Sequence, residues 1–283
     1  MYQATSVTEL RQYLQHWKDH DQSVAFIPTM GNLHAGHMSL IEKGQSLCDR
    51  SLCSIFVNPM QFGPNEDFNH YPRTLDSDLA QLEAAGCDLV YLPTASELYP
   101  QGLDKITQVQ VTDLTDHYEG AHRPGHFTGV ATVVLKLFNI VKPDVSVFGK
   151  KDFQQYRVIS KMVADLNLDV QIIGQETTRE ASGLATSSRN QYLDDEQTDR
   201  AAMIYQVLRD AAQQISEGER DYPAAEQRAL ASLEQAGFKT DYFKICNTRT
   251  LLPAGPEDSD LVILVTAALG ATRLLDNIEV SLW

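Results

Sequence analysis

Short apolar runs alternate with helix-like segments over residues 24–173, and this alternation constrains the fold more than any other feature of the chain. Runs of this length are typical of strands buried on both faces, and the segments between them carry apolar residues at helical spacing. Strands that alternate with helices form parallel sheets through right-handed crossovers. The strands predicted in this way are 24–28, 53–57, 88–92, 145–148 and 170–173.

Helices are predicted from periodicity and from their start signals. Ser6 and Glu9 form a capping-box pattern before the first helix, and Thr74 is a candidate cap for a later one. The helices predicted in this way run from residue 7 to 17, after the first strand through 41, from 75 to 82, over 127–141 and from about 152.

The pattern changes after about residue 175. Residues 195–236 read as two helices joined by a turn at Gly218 and Glu219, and three strands are predicted at 242–246, 261–267 and 273–280. This arrangement is typical of an α+β unit. We therefore predict an α/β fold with a parallel-sheet domain over 1–175 and a smaller C-terminal α+β domain over 176–283.

Charge and cysteine content exclude several functions. The formal net charge of -15 opposes binding to nucleic acid or to an anionic membrane surface. No run approaches the roughly 20 apolar residues of a membrane helix, and the N-terminus does not read as a secretory signal. Cys48, Cys53, Cys87 and Cys246 match no zinc or disulfide pattern, so we expect reduced thiols and a cytoplasmic protein.

The strongest local motif is His34-Ala35-Gly36-His37, directly after the first predicted strand. If the last two residues enter a helix, both imidazoles point to one side of its N-terminus. Backbone N–H groups and the helix dipole attract anions there, and the glycine allows a phosphate to approach closely. The motif predicts a polyphosphate site, whereas two surface histidines at a helix start are the alternative.

Three further polar segments follow strands or a small-residue loop. Gly149-Lys150-Lys151-Asp152 can hold an α-phosphate and cap a helix, and Gln154 and Gln155 open that helix. Ser187-Ser188-Arg189-Asn190 suits a phosphate clamp.

Asn58 and Gln61 offer amides beside Met60 and Phe62, which suits a small ligand that is part alkyl and part polar. Each segment alone is also compatible with an ordinary polar turn. The segment Arg123–Phe127 either lines the predicted ligand pocket or only starts the helix predicted over 127–141.

Six strings in this order resemble the pantothenate synthetase family, which belongs to the HxGH nucleotidylyltransferase superfamily. The strings are FIPTMGNLHAGH, SIFVNPMQFGPNED, YPRTLDSDL, RPGHFTGVATVVLKLFNIVKPD, GKKDFQQ and SSRNQYL. The resemblance implies a Rossmann-like N-terminal domain, a C-terminal domain that acts as a lid, and a cytoplasmic homodimer. It also implies an enzyme that adenylates pantoate with ATP and passes the acyl group to β-alanine, giving pantothenate, AMP and pyrophosphate.

The resemblance also implies site residues. It assigns His34, His37 and Lys151 to catalysis, with His37 as the general acid, and Gln61 and Gln155 to pantoate, with Gln61 bordering β-alanine. ATP contacts are implied for Met30, Gly31, Asn32, Leu33, His34, Ala35, Gly36, His37, Gly149, Lys150, Lys151, Asp152, Thr178, Thr186, Ser187, Ser188 and Arg189. Mg²⁺ is expected on the ATP phosphates and water rather than on protein ligands, with Asp76 and Asp78 as possible outer contributors.

Three positions depart from the family pattern. Lys150 stands where the family usually has Glu, Ser182 where it has Asp, and Thr186 where it has Leu or Met. We expect these changes to affect the second ATP loop more than the reaction, and Lys150 to add attraction for ATP.

Three rival functions are an adenylyltransferase for a phosphorylated substrate, a tRNA synthetase, and a nucleotide-binding protein without activity. An adenylyltransferase for a phosphorylated substrate would need a second basic cluster, which we do not find in the sequence. A tRNA synthetase is disfavoured because the chain is short and acidic.

Overall fold

The structure is a computed structural model that describes residues 1–64, 66 and 68–282. Asn65 and Asp67, in the predicted FGPNED string, and Trp283, at the end of the predicted second domain, lie outside that part. No helix among the described residues is long and apolar enough to cross a lipid bilayer.

The chain divides into two compact units. The first unit comprises Met1–Lys150 and Gln154–Glu176, and the second comprises Lys151–Phe153 and Thr177–Trp283. The change of unit at Glu176 lies next to the domain boundary predicted from the sequence. The short Lys151–Phe153 turn belongs with the second unit, which no sequence pattern indicated.

The first unit is built on a six-stranded sheet in which every neighbouring pair of strands is parallel, as predicted. The order is β1-β4-β3-β2-β5-β6. The strands are β1 (Tyr2–Ala4), β2 (Val24–Thr29), β3 (Arg50–Ile55), β4 (Leu89–Tyr91), β5 (Val145–Gly149) and β6 (Gln171–Gln175). The chain runs outward from β2 to β4 and then returns to the other side of β2 as β5. β2 and β5 therefore flank the switch point, where open α/β sheets bind ligands.

Pro28 lies in a central strand without breaking it. The Thr29 carbonyl accepts the backbone N–H of Phe56 on the β3 side. Backbone groups of successive strand residues point to opposite neighbours, so the backbone nitrogen of Pro28 points toward β5. The ladder between β2 and β5 ends at Phe26 and Ser146, so the missing N–H of the proline lies beyond the paired residues.

Helices follow the strands of the first unit and bury their apolar sides. They are α1 (Val7–Lys18), α2 (Ala35–Gln45), α3 (Leu75–Ala84), α4 (Ala95–Leu98), α5 (Glu119–His122), α6 (His126–Val141) and α7 (Phe153–Asp165). One buried cluster of this unit joins Ile41 of α2 and Leu82 of α3 to Ile27, Cys53 and Val90 of the sheet. The helices predicted at 7–17, 75–82 and 127–141 are confirmed.

The second unit packs three helices on an antiparallel sheet. The helices are α8 (Asp195–Ala201), α9 (Met203–Ser216) and α10 (Tyr222–Gln235), and the strands are β7 (Lys239–Asn247), β8 (Asp260–Leu269) and β9 (Thr272–Ser281) in that order. Its buried core joins Leu208 and Ile215 of α9 with Leu233 of α10 and with Ile263 and Val265 of β8. The predicted α+β unit is confirmed.

The structure differs from the predicted elements at a few places. The region 195–236 holds three helices rather than two, because the chain breaks between α8 and α9 at Ala202. The second predicted strand lies at Arg50–Ile55 rather than 53–57. β1 was not predicted, since its three residues are mostly polar and are paired only through β4.

Candidate active site

A buried carboxylate holds the turn between β2 and α2. Asp78 of α3 is 1% exposed, and its oxygens accept the backbone N–H groups of Asn32 at 3.0 Å and Leu33 at 2.8 Å. Gly31 has a φ of 82°, and a Cβ there would lie 2.9 Å from Asp78 Oδ2. Thr74 donates its hydroxyl to the same carboxylate. Asp78 therefore fixes the backbone that leads into the histidine motif, and a side chain at Gly31 would collide with it.

The same contacts bear on the metal. Both oxygens of Asp78 are used by protein donors, so the outer role suggested for Asp78 toward Mg²⁺ is not supported by this geometry. In the part of the chain that the structure describes, no group of three or more His, Cys, Asp or Glu side chains could hold a metal ion. Mg²⁺ carried by phosphate oxygens and water fits these residues, because it needs few protein ligands.

His34 and His37 form a reciprocal cap at the start of α2. His34 Nδ1 accepts the N–H of Gly36 at 3.2 Å, and His37 Nδ1 accepts the N–H of His34 at 3.3 Å. The ring centroids are 4.1 Å apart. Since each Nδ1 is an acceptor, each neutral ring carries its proton on Nε2. The structure thus brings both predicted imidazoles together at the helix N-terminus, with a defined tautomer.

The end of β5 carries Gly149 and Lys150. The Lys150 ammonium lies 2.7 Å from the Glu176 carboxylate, and the stem of Lys150 packs against Gly174. This ion pair offsets the charge of Lys150, so the expected extra attraction for ATP is weakened. Gly149 itself remains a predicted backbone contact at the switch point.

Gln61 lies in a single 3₁₀ turn, Pro59–Gln61, after β3 and is 8% exposed. Its Nε2 lies 3.0 Å from Met30 Sδ, so the structure brings it beside the predicted ATP segment. Asn58 caps this turn and donates from Nδ2 to Gln61 Oε1 at 3.1 Å. The two amides that the sequence singled out in this segment are therefore hydrogen-bonded to each other.

The segment Arg123–Phe127 starts α6 and also contacts the Gln61 turn. His126 Nδ1 lies 2.9 Å from the Gln61 carbonyl oxygen, so it donates, and Nε2 accepts from the Arg123 guanidinium at 3.1 Å. Arg123 also forms two hydrogen bonds with Glu66. Burial, together with the Arg123 charge, lowers the pKa of His126 from 6.5 to about 4. His126 is therefore a neutral link between Arg123 and the backbone of Gln61.

We expect the unfolding free energy to fall as the pH is lowered from about 6.5 to about 4, partly because of His126. In this window the unfolded chain protonates His126 while the folded chain does not, so acid favours unfolding. The full loss from this group is about 3 kcal/mol. Denaturant unfolding of His126→Gln across this pH range should show a shallower slope than the original chain. The exposed His20→Gln is the control, and an equal slope in all three proteins would contradict the assignment.

The two glutamines that open α7 have different roles. Gln154 is 5% exposed, donates to the carbonyls of Leu114 and His117 at 2.7 and 2.8 Å, and accepts the N–H of Glu119. It therefore fastens the 114–119 loop. Gln155 is half-buried, and its side chain makes no hydrogen bond to another residue in the described part of the chain. Of the two amides, that of Gln155 is therefore the one not used within the described part of the chain, and its contact with pantoate stays a prediction.

In the second unit, Lys151 is held through its backbone. Asn277 of β9 donates from Nδ2 to the Lys151 carbonyl at 2.8 Å, and Asp152 lies 4.0 Å from the Lys151 ammonium. A small cavity of this unit is lined by Lys151, Ser187, Asn190 and Asp276, among others. The structure thus brings the predicted catalytic lysine close to the predicted serine loop.

Arg179 organises the loop that carries the remaining predicted ATP residues. Its guanidinium binds both oxygens of Asp276, at 2.6 and 2.9 Å, donates to the Gly183 carbonyl and stacks 3.6 Å above the Tyr205 ring. Asp276 is 5% exposed, and burial raises its pKa although Arg179 acts in the opposite direction. Neither Arg179 nor Asp276 was singled out from the sequence.

The loop closes on itself around Thr178 and Thr186. The N–H of Thr186 donates to the Thr178 carbonyl at 2.9 Å, and Ser182 Oγ accepts the N–H of Leu184 at 3.4 Å. The serine therefore makes the local turn bond that an aspartate could make, so the departure at Ser182 does not leave this turn unsupported. Ser187 caps a 3₁₀ turn, Ser188–Tyr192, which carries Arg189.

Comparison with known proteins identifies relatives over almost the full chain. A family model described as pantoate-beta-alanine ligase matches residues 3–279. A pantothenate synthetase of Alcanivorax borkumensis is 50% identical over 281 residues, covering 99% of this chain and 98% of the relative. A pantothenate synthetase of Hahella chejuensis is 51% identical over 276 residues, covering 98% of each.

Solved structures agree with these relatives. The crystal structure of pantothenate synthetase from Thermus thermophilus matches with a TM-score of 0.93 and 41% identity, covering 99% of this chain and all of that one. A pantoate-beta-alanine ligase from Francisella tularensis, complexed with beta-gamma ATP and beta-alanine, matches with a TM-score of 0.82 and 32% identity over 98% of this chain and 97% of that one.

Proposed function

The chain belongs to the pantoate-beta-alanine ligase family, and we propose that it joins pantoate to β-alanine, giving pantothenate, AMP and pyrophosphate. As a member of this family it is a ligase. The observation that carries the proposal is the pair His34 and His37 at the N-terminus of α2, beside the sheet's switch point. Relatives of about 50% identity over nearly the full chain support it.

The proposed reaction has two steps. A pantoate carboxylate oxygen attacks the α-phosphorus of ATP, and the bond to the bridging oxygen of pyrophosphate breaks. The β-alanine nitrogen then attacks the acyl carbon of pantoyl adenylate, AMP leaves, and the nitrogen loses a proton. The first step is needed because a free carboxylate is a poor acyl donor.

Charge on the leaving pyrophosphate is the main demand of the first step. Because each Nδ1 accepts a backbone N–H, the imidazoles of His34 and His37 carry their N–H donors at Nε2, and preorganised donors of this kind stabilise developing negative charge. Pyrophosphate is already a good leaving group, so hydrogen bonding suffices without full proton transfer. The proposal assigns the α-phosphate to Lys151 and further phosphate contacts to Ser187, Ser188 and Arg189.

The acid substrate is assigned to the two amides. Gln61 lies beside Met30 of the ATP segment, and the Gln155 amide has no hydrogen-bond partner among the described residues. Both are neutral, so they hold hydroxyls and a carboxylate without adding charge to an already acidic protein. β-Alanine is proposed to bind near Gln61. Mg²⁺ on the ATP phosphates, a homodimer and a cytoplasmic location complete the proposal.

The product set tests the proposed function. With ATP, Mg²⁺ and pantoate, the protein should release pyrophosphate, and continued turnover with formation of AMP should require β-alanine. Separation of the nucleotides by chromatography and an assay for pyrophosphate measure both. Formation of ADP and orthophosphate would contradict an adenylate intermediate, and no turnover with pantoate would favour a protein that only binds nucleotide.

The paired glutamines of α7 test the pantoate assignment. Gln155→Ala should lower kcat/KM for pantoate by about tenfold or more, because a substrate hydroxyl or carboxylate loses its partner. ATP affinity should stay nearly unchanged. Gln154→Ala is the matched control: it should destabilise the 114–119 loop, visible in thermal unfolding, without the same selective effect on pantoate. A collapse of ATP affinity in Gln155→Ala would show that the assignment is wrong.

A further inference from the structure

A buried chain of three polar side chains leads from the end of α4 to Gln61. The Tyr99 hydroxyl lies 2.8 Å from Asn58 Oδ1, and Asn58 Nδ2 lies 3.1 Å from Gln61 Oε1. Tyr99 is 3% exposed and Asn58 is 1% exposed, so neither exchanges its partner with bulk water. Gln61 is the residue at the ligand end of this chain.

Two backbone groups decide which way the Asn58 amide faces. The N–H of Met60 lies 3.3 Å from Oδ1, and a backbone N–H can only donate. The carbonyl of Gly129 in α6 lies 3.2 Å from Nδ2, and a carbonyl can only accept. Asn58 therefore presents its NH₂ group to Gln61 and its oxygen to Tyr99, so the Tyr99 hydroxyl must be the donor in their bond.

The orientation of Asn58 determines that of Gln61. Because Asn58 Nδ2 donates, the atom of Gln61 that faces it must be Oε1. The bond from Asn58 thus fixes Oε1 of Gln61 on the side of Asn58 and directs the NH₂ group the other way, where Nε2 reaches the weak acceptor Met30 Sδ at 3.0 Å. Toward a ligand, Gln61 therefore presents its NH₂ group.

We propose that Tyr99 is a positioning residue that, through Asn58, holds Gln61 as an N–H donor toward an oxygen of the acid substrate. The proposal rests on the proposed function, since it takes Gln61 as a substrate contact. The chemical group it selects is a hydrogen-bond acceptor, such as a carboxylate or hydroxyl oxygen.

The Tyr99 ring is itself fixed, which such a role requires. It lies 6.2 Å from the Phe56 ring, and the Lys136 ammonium of α6 lies 5.6 Å from its centroid. α6 also approaches the Gln61 turn so closely that a Cβ at Gly129 would lie 2.3 Å from the Met60 carbonyl oxygen. The hydroxyl therefore meets Asn58 from a position determined by packing.

The first experiment compares Tyr99→Phe with Tyr91→Phe by steady-state kinetics. Loss of one neutral hydrogen bond to Asn58 should raise KM for pantoate by about three- to tenfold, with KM for ATP unchanged. Tyr91 is also fully buried, but its hydroxyl has no hydrogen-bond partner in the described part of the chain, so its variant should leave both KM values unchanged. Partial unfolding lowers the apparent kcat but not KM, so the comparison survives a loss of folded protein.

The second experiment is a double-mutant cycle with Gln61→Ala. If Tyr99 acts through Gln61, Tyr99→Phe should cause no further rise in KM for pantoate once the Gln61 amide is gone. Equal effects of Tyr99→Phe with and without Gln61, or an equal rise in KM for ATP, would overturn the positioning role. In either of those cases the original chain still forms pantothenate, whereas failure of the proposed function would be seen as no pantothenate in the original chain itself.

Discussion

Replacing His34 or His37 by alanine is expected to lower the rate of pyrophosphate release by about 10²-fold or more, as loss of one preorganised transition-state donor does. Each ring uses Nδ1 for the helix cap and retains its proton on Nε2, so each can give one donor to the leaving group. Single-turnover measurements with saturating ATP and pantoate would report this step directly.

The structure also indicates that these substitutions lower the stability of the fold, which the sequence did not indicate. His34 Nδ1 is the side-chain cap of α2, so His34→Ala should also lower the unfolding free energy by about 1 kcal/mol. From the histidine motif alone we expect little effect on folding, because side chains at a surface helix start contribute little to it. The cap contact modifies that expectation for His34 and, through its bond to the His34 N–H, for His37.

Matched variants separate the two effects. His34→Asn keeps an acceptor at the cap position, and His37→Gln keeps an acceptor at the third position of the capping box. Both lack the second ring nitrogen, so stability should return toward that of the original chain while the rate stays low. If either variant recovered the rate together with the stability, the histidines would serve as caps and not as donors to the phosphates.

Elements whose cause is local were predictable from the sequence. The strand predicted at 24–28 is Val24–Thr29, and the helix predicted over 127–141 is His126–Val141. In each case periodicity and the turn residues at the ends reflect burial along one element. The histidine pair was predictable for the same reason, since residues at the cap and at the third position of a helix are neighbours, and here their rings meet.

Residues that act across long sequence separations could not be found in this way. Asp78 holds a backbone turn more than forty positions earlier in the chain, and in the sequence it is only one of two acidic residues in the first turn of a helix. Tyr99 reads as an aromatic residue after a short helix, and only the fold brings its hydroxyl to Asn58. The two glutamine amides that we assign to the substrate could be proposed from the sequence, whereas the groups that orient them depend on tertiary contacts.

Arg179→Met is expected to lower the unfolding free energy of the second unit by about 3–5 kcal/mol, because it leaves the buried Asp276 carboxylate without its partner. The lost stacking on Tyr205 and the lost bond to the Gly183 carbonyl add to this effect. Arg200→Met is the matched control: its ion pair with Glu196 is exposed and lies within one helix, so its removal should cost about 0.5 kcal/mol or less. Chemical denaturation measures both.

The pH dependence of the Arg179→Met variant distinguishes loss of a charge partner from loss of packing. Burial already raises the pKa of Asp276, and removal of the guanidinium should raise it further. A carboxyl whose pKa is higher in the folded state than in the unfolded state takes up its proton on folding. The difference in unfolding free energy between the original chain and Arg179→Met should therefore become smaller as the pH falls.

A second variant that also carries Asp276→Leu should recover part of the stability at neutral pH, since a buried pair replaced by apolar side chains leaves no unpaired charge. If the deficit of Arg179→Met were the same at every pH and the second substitution restored nothing, then packing against Tyr205, and not the ion pair, would hold the loop that carries Ser187 and Arg189.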